Sequence, residues 1–475
     1  MSEPLGGLLS APPSIVAAGV EVFSTALRRQ GASVTDVDWR PPGFGSADDL
    51  TQLALDPRRA AANRVAVERV LAAGSVLVDV RPAREVLDLP DRMLLHSGPP
   101  LTWETASGPM RGALIGACLF EGWATDVEDA ERILAAGQVA LDPCHHHRTV
   151  GPMAGVTSPS MWMWCLADPA GGGQAWCNLN EGLGKVLRMG AFDDEVLTRL
   201  RWMRDVLGPV LQRAVRSRPE PLDVKAILAQ MLQMGDEGHN RNRAGSLMAL
   251  RELSPSIVGV DAASSGWSAR DIAEVLRFIG GNEHFYLNLG MPTAKLAMDA
   301  ARDVPGSSMV TVLSRNGTEF GIQTAGTGDR WFTAPANTPV GLYLGDYGPE
   351  DANPDIGDSA IMEAYGVGGF SMAAAPAIVR FVGGTVPDAL ATTERMYQLT
   401  LAENPAMQIP IMGFRGSPTG IDVLQVARTG WLPQINTGMA GRVAGTGQVG
   451  AGLVQPPQAC FEQALAVLAE ESRVA

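Results

Sequence analysis

The six histidines of this chain are concentrated in a few polar stretches, and three of them are consecutive in LDPCHHH (141–147). If this stretch continues a strand, alternate side chains share a face, so His145 and His147 could act together while His146 points away. Three interpretations stay open: His145 and His147 hold a metal with a distant third ligand, one of them such as His145 moves a proton, or all three are hydrogen-bonded loop residues. The chain lacks the His-Glu-x-x-His pattern that places two ligands on one helix face, which favours a site without metal.

A second histidine lies in the densest polar run of the chain, MGDEGHNRN (234–242). An exposed helix face usually repeats Glu, Lys or Arg, whereas this run mixes hydrogen-bond donors and acceptors. We therefore predict that His239, Asn240, Arg241 and Asn242 orient a small ligand, with His239 as an acid–base group. The alternative is a solvated junction between two helices.

The stretch CNLNEGLGKVLR (177–188) places amide and carboxyl side chains next to two glycines. Loop glycines before a helix let backbone N–H groups face an anion, although the spacing is not that of a P-loop. We predict that Asn178 and Asn180 bind substrate and that Glu181 transfers a proton. The alternative is a structural turn.

Three glycine-rich stretches follow in the second half of the chain. AYGVGGFSMAAAP contains Gly368 and Gly369 before a helix of small residues, where free N–H groups would hold a phosphate or carboxylate. GFRGSPTGID contains Arg415, a candidate bidentate clamp, and INTGMAGRVAGTGQVGAG adds Asn436 and Thr437. Together they predict a pocket for a small anion, with close helix packing as the alternative for the Gly368 stretch.

Composition limits the class of protein. The chain has 475 residues, with 37 basic and 51 acidic side chains and a net charge of −14, which argues against binding a nucleic-acid backbone. Five cysteines without a Cys-x-x-Cys pair are typical of a reducing cytoplasm. The N-terminal stretch does not resemble a secretory signal, and no run approaches the roughly 18 apolar residues of a membrane helix. We expect a cytoplasmic protein with two to four domains.

The predicted secondary structure that positions the candidate residues changes along the chain. Strand and helix patterns alternate at the start, with strands at 14–19, 32–39, 75–82 and 92–96, which predicts a parallel sheet in a Rossmann-like α/β domain over 1–125. No Gly-x-Gly-x-x-Gly follows the first strand, so no dinucleotide is implied. We expect an α+β segment at 126–190, an all-helical domain at 191–260, and an α+β domain with glycine-rich loops at 261–475. Local signals predict an Asp N-cap where DDEVLTRL begins, a capping box of Ser268 and Asp271, and a hairpin with Asn316-Gly317 in its turn. The predicted fold class is α/β and α+β, multidomain.

Several long motifs resemble those of a known family. Among them are LHSGPPLTWE, PCHHH, VGPMAGVTSPSM, CNLNEGLGKVLR, MGDEGHNRN, GVGGFSMAAAPAIV and FRGSPTGIDV. Over nearly the whole chain, from about residue 14 to 470, the sequence is similar to the oxamate carbamoyltransferase subunit family of bacterial allantoin degradation. The resemblance implies conversion of oxalurate and phosphate into oxamate and carbamoyl phosphate, together with companion subunits and a Rossmann-like N-terminal part. The Ser-x-Arg-Thr phosphate motif of ordinary transcarbamoylases is absent.

Such a reaction needs an anchor for phosphate, a clamp for a carboxylate and a proton for the leaving amide. Arg415 and Arg241 are candidates for the first two, and His239, His145 or Glu181 for the third; no metal or cofactor is required. We therefore expect MGDEGHNRN, NLNEG and Arg415 to line one cleft. Two other functions stay open: a non-catalytic assembly subunit, and a metal-dependent or cofactor-free amidohydrolase of a ureide.

Overall fold

The computed structural model describes residues 14–37, 41–260 and 266–474. The predicted N-terminal stretch and the end of the predicted strand 32–39 lie outside these residues. The strands are β1 (Ser14–Ala18), β2 (Ser33–Val37), β3 (Val76–Pro82), β4 (Met93–His96), β5 (Ala140–Pro143), β6 (Trp162–Ala167), β7 (Gln174–Asn178), β8 (Leu222–Asp223), β9 (Val310–Asn316), β10 (Glu319–Thr324), β11 (Phe332–Pro335), β12 (Val340–Tyr343), β13 (Ile356–Gly357), β14 (Thr400–Ile409), β15 (Arg415–Ile421), β16 (Ile435–Ala440) and β17 (Gln448–Val454).

The helices are α1 (Glu21–Arg29), α2 (Ala47–Leu55), α3 (Pro57–Ala72), α4 (Ala83–Val86), α5 (Gly108–Glu121), α6 (Val127–Ala135), α7 (Asp194–Trp202), α8 (Gly208–Arg216), α9 (Val224–Gln233), α10 (Arg243–Val258), α11 (Ala269–Gly281), α12 (Leu287–Ala300), α13 (Ile361–Ala364), α14 (Val379–Val382), α15 (Val386–Met396), α16 (Val423–Thr429) and α17 (Gln458–Val474). Within the described ranges, no helix combines the length and apolar composition that a membrane crossing requires. The mixture of helices with several small sheets confirms the predicted fold class.

The chain divides into two compact units, residues 1–43 and residues 44–475. In the first unit, β1 and β2 are parallel and α1 connects them, as the alternating pattern predicts. The domain boundaries predicted at 125, 190 and 260 all lie inside the second unit, and they stay predictions.

The strand predicted at 75–82 does not continue a parallel sheet. β3 pairs antiparallel with β6 and with β8, and β6 forms a hairpin with β7 in the sheet order β7-β6-β3-β8. β4 pairs in parallel with β5, in a separate two-stranded sheet. The expected single Rossmann-like sheet is wrong at these strands, because pairing partners come from beyond residue 125 and local alternation carries no information about them.

The span 191–260 contains the helices α7 to α10 with their connecting loops, as predicted, and one short strand. Asp193 caps α7 by accepting from Val196 N, so the N-terminal cap expected from the sequence is present. The exception is β8, whose two residues pair with Val76 and Leu77 of β3. The expectation of a span without strands is therefore wrong at this point.

The C-terminal half of the second unit is built from small antiparallel sheets. One has the order β11-β10-β9-β13, and another the order β12-β17-β16, while β14 and β15 form a separate pair. The turn between β9 and β10 lies at the predicted Asn316-Gly317 pair. Ser268 and Asp271 form the predicted capping box at α11. These sheets carry Arg315 on β9, Arg415 on β15, and Asn436 and Thr437 on β16.

Candidate active site

The loop 234–242 connects α9 to α10 and is mostly buried. Asp236 accepts a hydrogen bond from Gly245 N at 3.1 Å, and Glu237 accepts from His239 N at 3.1 Å and Arg241 N at 2.6 Å. The side chain of Glu237 is fully buried, and this burial raises its pKa to about 8. The two acids therefore hold the loop in shape, and the alternative of a solvated helix junction is excluded.

His239 is 3% exposed and is held by a carboxylate that the sequence did not indicate. Its Nδ1 lies 2.8 and 2.9 Å from the two carboxylate oxygens of Glu363 on α13. Glu363 Oε1 also accepts from Gly369 N at 2.9 Å and from Asn436 N at 3.1 Å. Nε2 of His239 has no hydrogen-bond partner among the described residues. A carboxylate on one ring nitrogen fixes the orientation of the imidazole and leaves the other nitrogen available for proton transfer.

The glycines after Glu363 allow this close contact. Gly368 has φ +61°, and a Cβ atom there would lie 2.3 Å from Glu363 Oε1 and 3.0 Å from the Cβ of His239. Gly368 N donates to the Glu237 carbonyl at 2.6 Å, and Gly369 N donates to Glu363 as noted. These amides are occupied within the protein, so the predicted anion-binding role of Gly368 and Gly369 is not supported. Their role is to let two chain segments approach each other.

A chain of amide side chains joins the His239 loop to the NLNEG loop. Asn240 Nδ2 donates to Asn436 Oδ1, and the Asn240 carbonyl accepts from His284 Nε2 at 2.9 Å. His284 N donates to Asn282 Oδ1 at 3.0 Å, and Asn282 Nδ2 donates to the carbonyl of Asn180 at 3.1 Å. The two predicted loops are thus brought together by the connection between α11 and α12.

The far end of this network lies on α12 and β7. Asn180 Nδ2 donates to Asn288 Oδ1 at 2.6 Å, and Asn288 Nδ2 donates to the carbonyl of Asn178 at 2.7 Å. Asn178 Nδ2 donates to the Val156 carbonyl at 3.2 Å. Asn178 and Asn180 therefore position backbone and neighbouring side chains, rather than projecting freely into a pocket.

Three buried polar atoms of the network have no partner among the described residues: Asn242 Oδ1, His284 Nδ1 and Asn436 Nδ2. Burial and the charge of Arg188 lower the pKa of His284 to about 3, although its hydrogen bond to Asn240 opposes this. His284 is therefore neutral at pH 7, with Nε2–H donating to Asn240 and Nδ1 left as an acceptor. Unpaired buried polar atoms are costly, so a cluster that offers both donors and acceptors is typical of a ligand site.

Glu181 is buried, and its carboxylate stabilises the loop that contains it. Its carboxylate accepts from Leu187 N at 2.7 Å and Arg188 N at 3.2 Å, which fixes the 3-10 turn Leu187–Met189. Burial raises the pKa of Glu181 above its ordinary value. Both carboxylate oxygens are thus engaged by backbone amides, which favours a structural role over the predicted proton transfer.

Arg415 lies apart from this network. Its side chain is 47% exposed, its Nη2 donates to Glu403 at 2.6 Å, and its guanidinium lies 3.8 Å from the ring centre of Tyr397. It shares no hydrogen bond with the network in the part of the chain that the structure describes. The predicted cleft containing Arg415 is therefore not supported, because Arg415 is the exposed first residue of β15 in the β14–β15 hairpin.

Arg241 and Thr437 are also engaged within the protein. Arg241 Nε donates to the Gly235 carbonyl at 2.8 Å. Thr437 Oγ1 donates to Asp355 at 3.1 Å and accepts from Nη2 of Arg315 at 3.0 Å. Arg315 is fully buried and makes two bonds to the Asp355 carboxylate. The hydroxyl of Thr437 is therefore not free to bind an anion, and the Nε of Arg241 is engaged in the same way.

The LDPCHHH stretch does not form a continuous strand. β5 ends at Pro143 and Cys144–His147 is a 3-10 helix, so the expected shared face of His145 and His147 is wrong. His147 Nε2 lies 2.7 Å from Asp142, while both ring nitrogens of the fully buried His145 lack a partner. Burial lowers the pKa of His145 well below its ordinary value, so the ring is neutral. The described residues contain no group of three or more His, Cys, Asp or Glu side chains arranged to hold a metal ion.

Sequence reasoning missed five residues of the network. They are Arg188, Asn282, His284, Asn288 and Glu363. His284 lies in the polar stretch GGNEHFYL, and Arg188 ends the stretch CNLNEGLGKVLR, so their polarity was a usable signal. Glu363 lies among apolar residues in AIMEAYG, where nothing local indicates its partner 124 positions away.

Comparisons with known proteins agree with the resemblance seen in the motifs. The family model described as oxamate carbamoyltransferase subunit AllG matches residues 139–359. The oxamate carbamoyltransferase subunit AllG of Escherichia coli (strain K12) is 48% identical over 414 residues, or 86% of this chain and 98% of that protein. The uncharacterized protein YahG of the same organism is 44% identical over 465 residues, or 96% of this chain and 97% of that protein.

One solved structure is also similar. The crystal structure of a conserved protein of unknown function from Enterococcus faecalis V583 has a TM-score of 0.84 and 47% sequence identity, covering 86% of this chain and 97% of that chain. Identity at this level over nearly the full length of a relative exceeds what a shared fold alone would produce. The chain therefore belongs to the AllG family of oxamate carbamoyltransferase subunits.

Proposed function

We propose that this chain is a cytoplasmic carbamoyltransferase subunit that works with companion subunits and acts on a small ureide or amide in allantoin degradation. The family name supports the reaction class, and the word subunit in it supports the companions. The observation that carries a catalytic role, rather than one in assembly alone, is the imidazole of His239. One of its nitrogens is held by Glu363 and the other is free among the described residues.

The proposed reaction converts oxalurate and phosphate into oxamate and carbamoyl phosphate, or the reverse. A phosphate oxygen forms a bond to the carbamoyl carbon, and the bond from that carbon to the oxamate nitrogen breaks. The proton of the phosphate passes to the leaving nitrogen, so the balance requires one group that accepts and then donates a proton. Nε2 of His239 is suited to this role because Glu363 keeps the proton of the neutral ring on Nδ1.

Two unpaired atoms of the network, one on an asparagine and one on a histidine, supply the hydrogen bonds to the substrate in this proposal. The unpaired Nδ2 of Asn436 donates to a carbonyl oxygen of the substrate, and the unpaired Nδ1 of His284 accepts from an N–H group. A ureide presents both kinds of group. A site that offers both a buried donor and a buried acceptor rejects molecules that lack the complementary group. The donor or the acceptor of the protein is then left without a hydrogen bond.

The test is a steady-state assay of carbamoyl transfer with the subunit assembled with its companions. His239→Gln should lower kcat by about 10²–10⁴-fold, the usual effect of losing an acid–base group. Glu363→Gln should lower kcat while KM changes by less than about threefold, since Glu363 positions His239 without touching the substrate. Glu363→Asp should restore part of the rate.

The matched control is His147→Gln, at a partly exposed histidine bound to Asp142 outside the network. This variant should retain the activity of the unmodified protein. If His239→Gln keeps kcat within about threefold of the unmodified protein while folding normally, His239 is not the acid–base group and the catalytic proposal is wrong.

A further inference from the structure

Two arginines of the second unit are almost completely buried, but they are paired very differently. Arg315 is fully buried, with two bonds to the Asp355 carboxylate and others to Gly357 and Thr437. Arg188 is 6% exposed, yet its Nε and Nη2 both donate to the Gly182 carbonyl, at 3.1 and 2.6 Å. Among the described residues, its Nη1 has no hydrogen-bond partner, and no carboxylate lies within ion-pair distance of its guanidinium.

An unpaired buried guanidinium is an unfavourable arrangement in a folded protein. Burial lowers the pKa of Arg188 to about 10, which still leaves the group charged at neutral pH. The neighbouring carboxylate of Glu181 attracts this charge, but its oxygens accept from the amides of Leu187 and Arg188. A buried cation without a counter-ion is costly, and an anionic ligand beside it offsets that cost.

Arg188 also lies at the end of the network that contains His239. Its guanidinium is bonded to Gly182, whose N–H donates to Asn180 Oδ1 at 2.8 Å, and Asn180 is linked through Asn282 to His284. The charge of Arg188 is the largest electrostatic influence on the His284 ring after burial itself. The cation and the unpaired acceptor Nδ1 of His284 therefore belong to one region of the network.

We propose that Arg188 is the residue that binds the oxoanion group, carboxylate or phosphate, of a small substrate in this site. Its guanidinium presents a planar set of N–H donors, which suits such a group better than a lysine ammonium does. The inference rests on the proposed function for the choice of ligands, and it gives to Arg188 the role that the sequence suggested for Arg415. The neutral donors and acceptors of the asparagine network then contact the amide end of the same molecule.

The experiment measures binding of oxamate, inorganic phosphate and carbamoyl phosphate to the full-length chain by isothermal titration calorimetry, with potassium chloride at equal ionic strength as the blank. The unmodified protein should bind at least one of these oxoanions at one site per chain. Arg188→Met should weaken that binding at least 100-fold, and Arg188→Lys should weaken it about tenfold, because a point charge does not replace the planar fork. Competition between oxamate and phosphate distinguishes a carboxylate site from a phosphate site.

The matched control is Arg415→Ala, which removes an exposed arginine already paired with Glu403 and should leave oxoanion binding unchanged. Thermal unfolding without ligand gives a second readout. Arg188→Met should be at least as stable as the unmodified protein, because the unpaired charge is gone. Arg188→Lys retains the charge and keeps the test decisive if the methionine variant does not fold.

The inference is overturned if the unmodified chain binds none of the three oxoanions, or if Arg188→Met and Arg188→Lys bind them as the unmodified protein does. Loss of thermal stability in Arg188→Met with unchanged binding would mean that Arg188 only holds the Gly182 loop. The outcome is separable from the proposed function, since His239→Gln should bind oxoanions normally and yet turn over slowly. Full turnover in His239→Gln together with lost binding in Arg188→Met would contradict the first proposal and support this one.

Discussion

His239 and His145 are both buried histidines beside a buried carboxylate, and they differ in what the carboxylate does. Glu363 lies 2.8 Å from Nδ1 of His239, within hydrogen-bond distance. Asp358 lies 3.5 Å from Nε2 of His145, and its oxygens accept instead from Gly98 N, Gly151 N and the hydroxyl of Ser314. The carboxylate of Glu363 orients the imidazole of His239. The imidazole of His145 is buried, but no hydrogen bond from Asp358 orients it.

Orientation, more than burial, separates a histidine suited to proton transfer from one that fills space. The Asp358 carboxylate connects the segments around Gly98, Gly151 and Ser314, and burial raises its pKa to about 6. Both regions contain buried polar atoms without a partner, but only the His239 region combines them with an imidazole that a carboxylate orients. Four substitutions test the contrast.

The largest effect on stability is expected where the His239 region is most tightly packed, at Gly368. Gly368→Ala should destabilise the protein by about 2–4 kcal/mol, the sum of a left-handed alanine and a Cβ pressed against Glu363. Gly235→Ala, in the same region with φ +91° and open space around the site of its Cβ, should cost only about 1–2 kcal/mol. Urea unfolding of both variants measures the difference, and equal costs would show that the close approach to Glu363 is not tight.

A smaller, pH-dependent effect is expected from His96, which adjoins the Asp358 region. Burial lowers the pKa of His96 to about 4, while the unfolded chain retains a value near 6.5. The unfolded state therefore binds more protons between these values, so the stability contributed by the neutral ring is present above pH 6.5 and is lost as the pH falls towards 4.

His96→Asn removes the titrating group but keeps a donor for the Ser97 carbonyl, which Nδ1 contacts at 2.8 Å. Between pH 6.5 and pH 5, the unmodified protein should lose about 1.5 kcal/mol more stability than this variant. The measurement is the free energy of unfolding in urea at the two pH values. Parallel losses in both proteins would show that His96 titrates in the folded state as it does in the unfolded chain.

The smallest effect is expected at His145 itself. His145→Leu removes two buried nitrogens that have no partner and leaves the three donors to Asp358 in place, so stability should change by less than about 1 kcal/mol. Carbamoyl transfer should continue at a rate close to that of the unmodified protein. A drop in kcat comparable to that of His239→Gln, with normal folding, would place His145 in the reaction and remove the contrast between the two regions.

The sequence predicted the local features of this protein and the segments in which the chemistry lies. Helix caps at Asp193 and Ser268 and the turn at Asn316-Gly317 depend on neighbouring residues, so they could be found without a structure. The polar runs 177–188 and 234–242 were singled out for their mixture of donors and acceptors, and the structure joins them in one network.

Only the tertiary structure decided which residues of those segments are partners. Glu363 reaches His239 across 124 positions, β3 pairs with β6 rather than with a neighbouring parallel strand, and the surface position of Arg415 depends on a hairpin with Glu403. Glycines flank Arg415 much as they flank the NLNEG loop, so composition could not distinguish an exposed arginine from the buried Arg188. The physical reason is that pairing and desolvation depend on distances between segments far apart in the chain, whereas periodicity, caps and turns depend on residues within one turn or strand of each other.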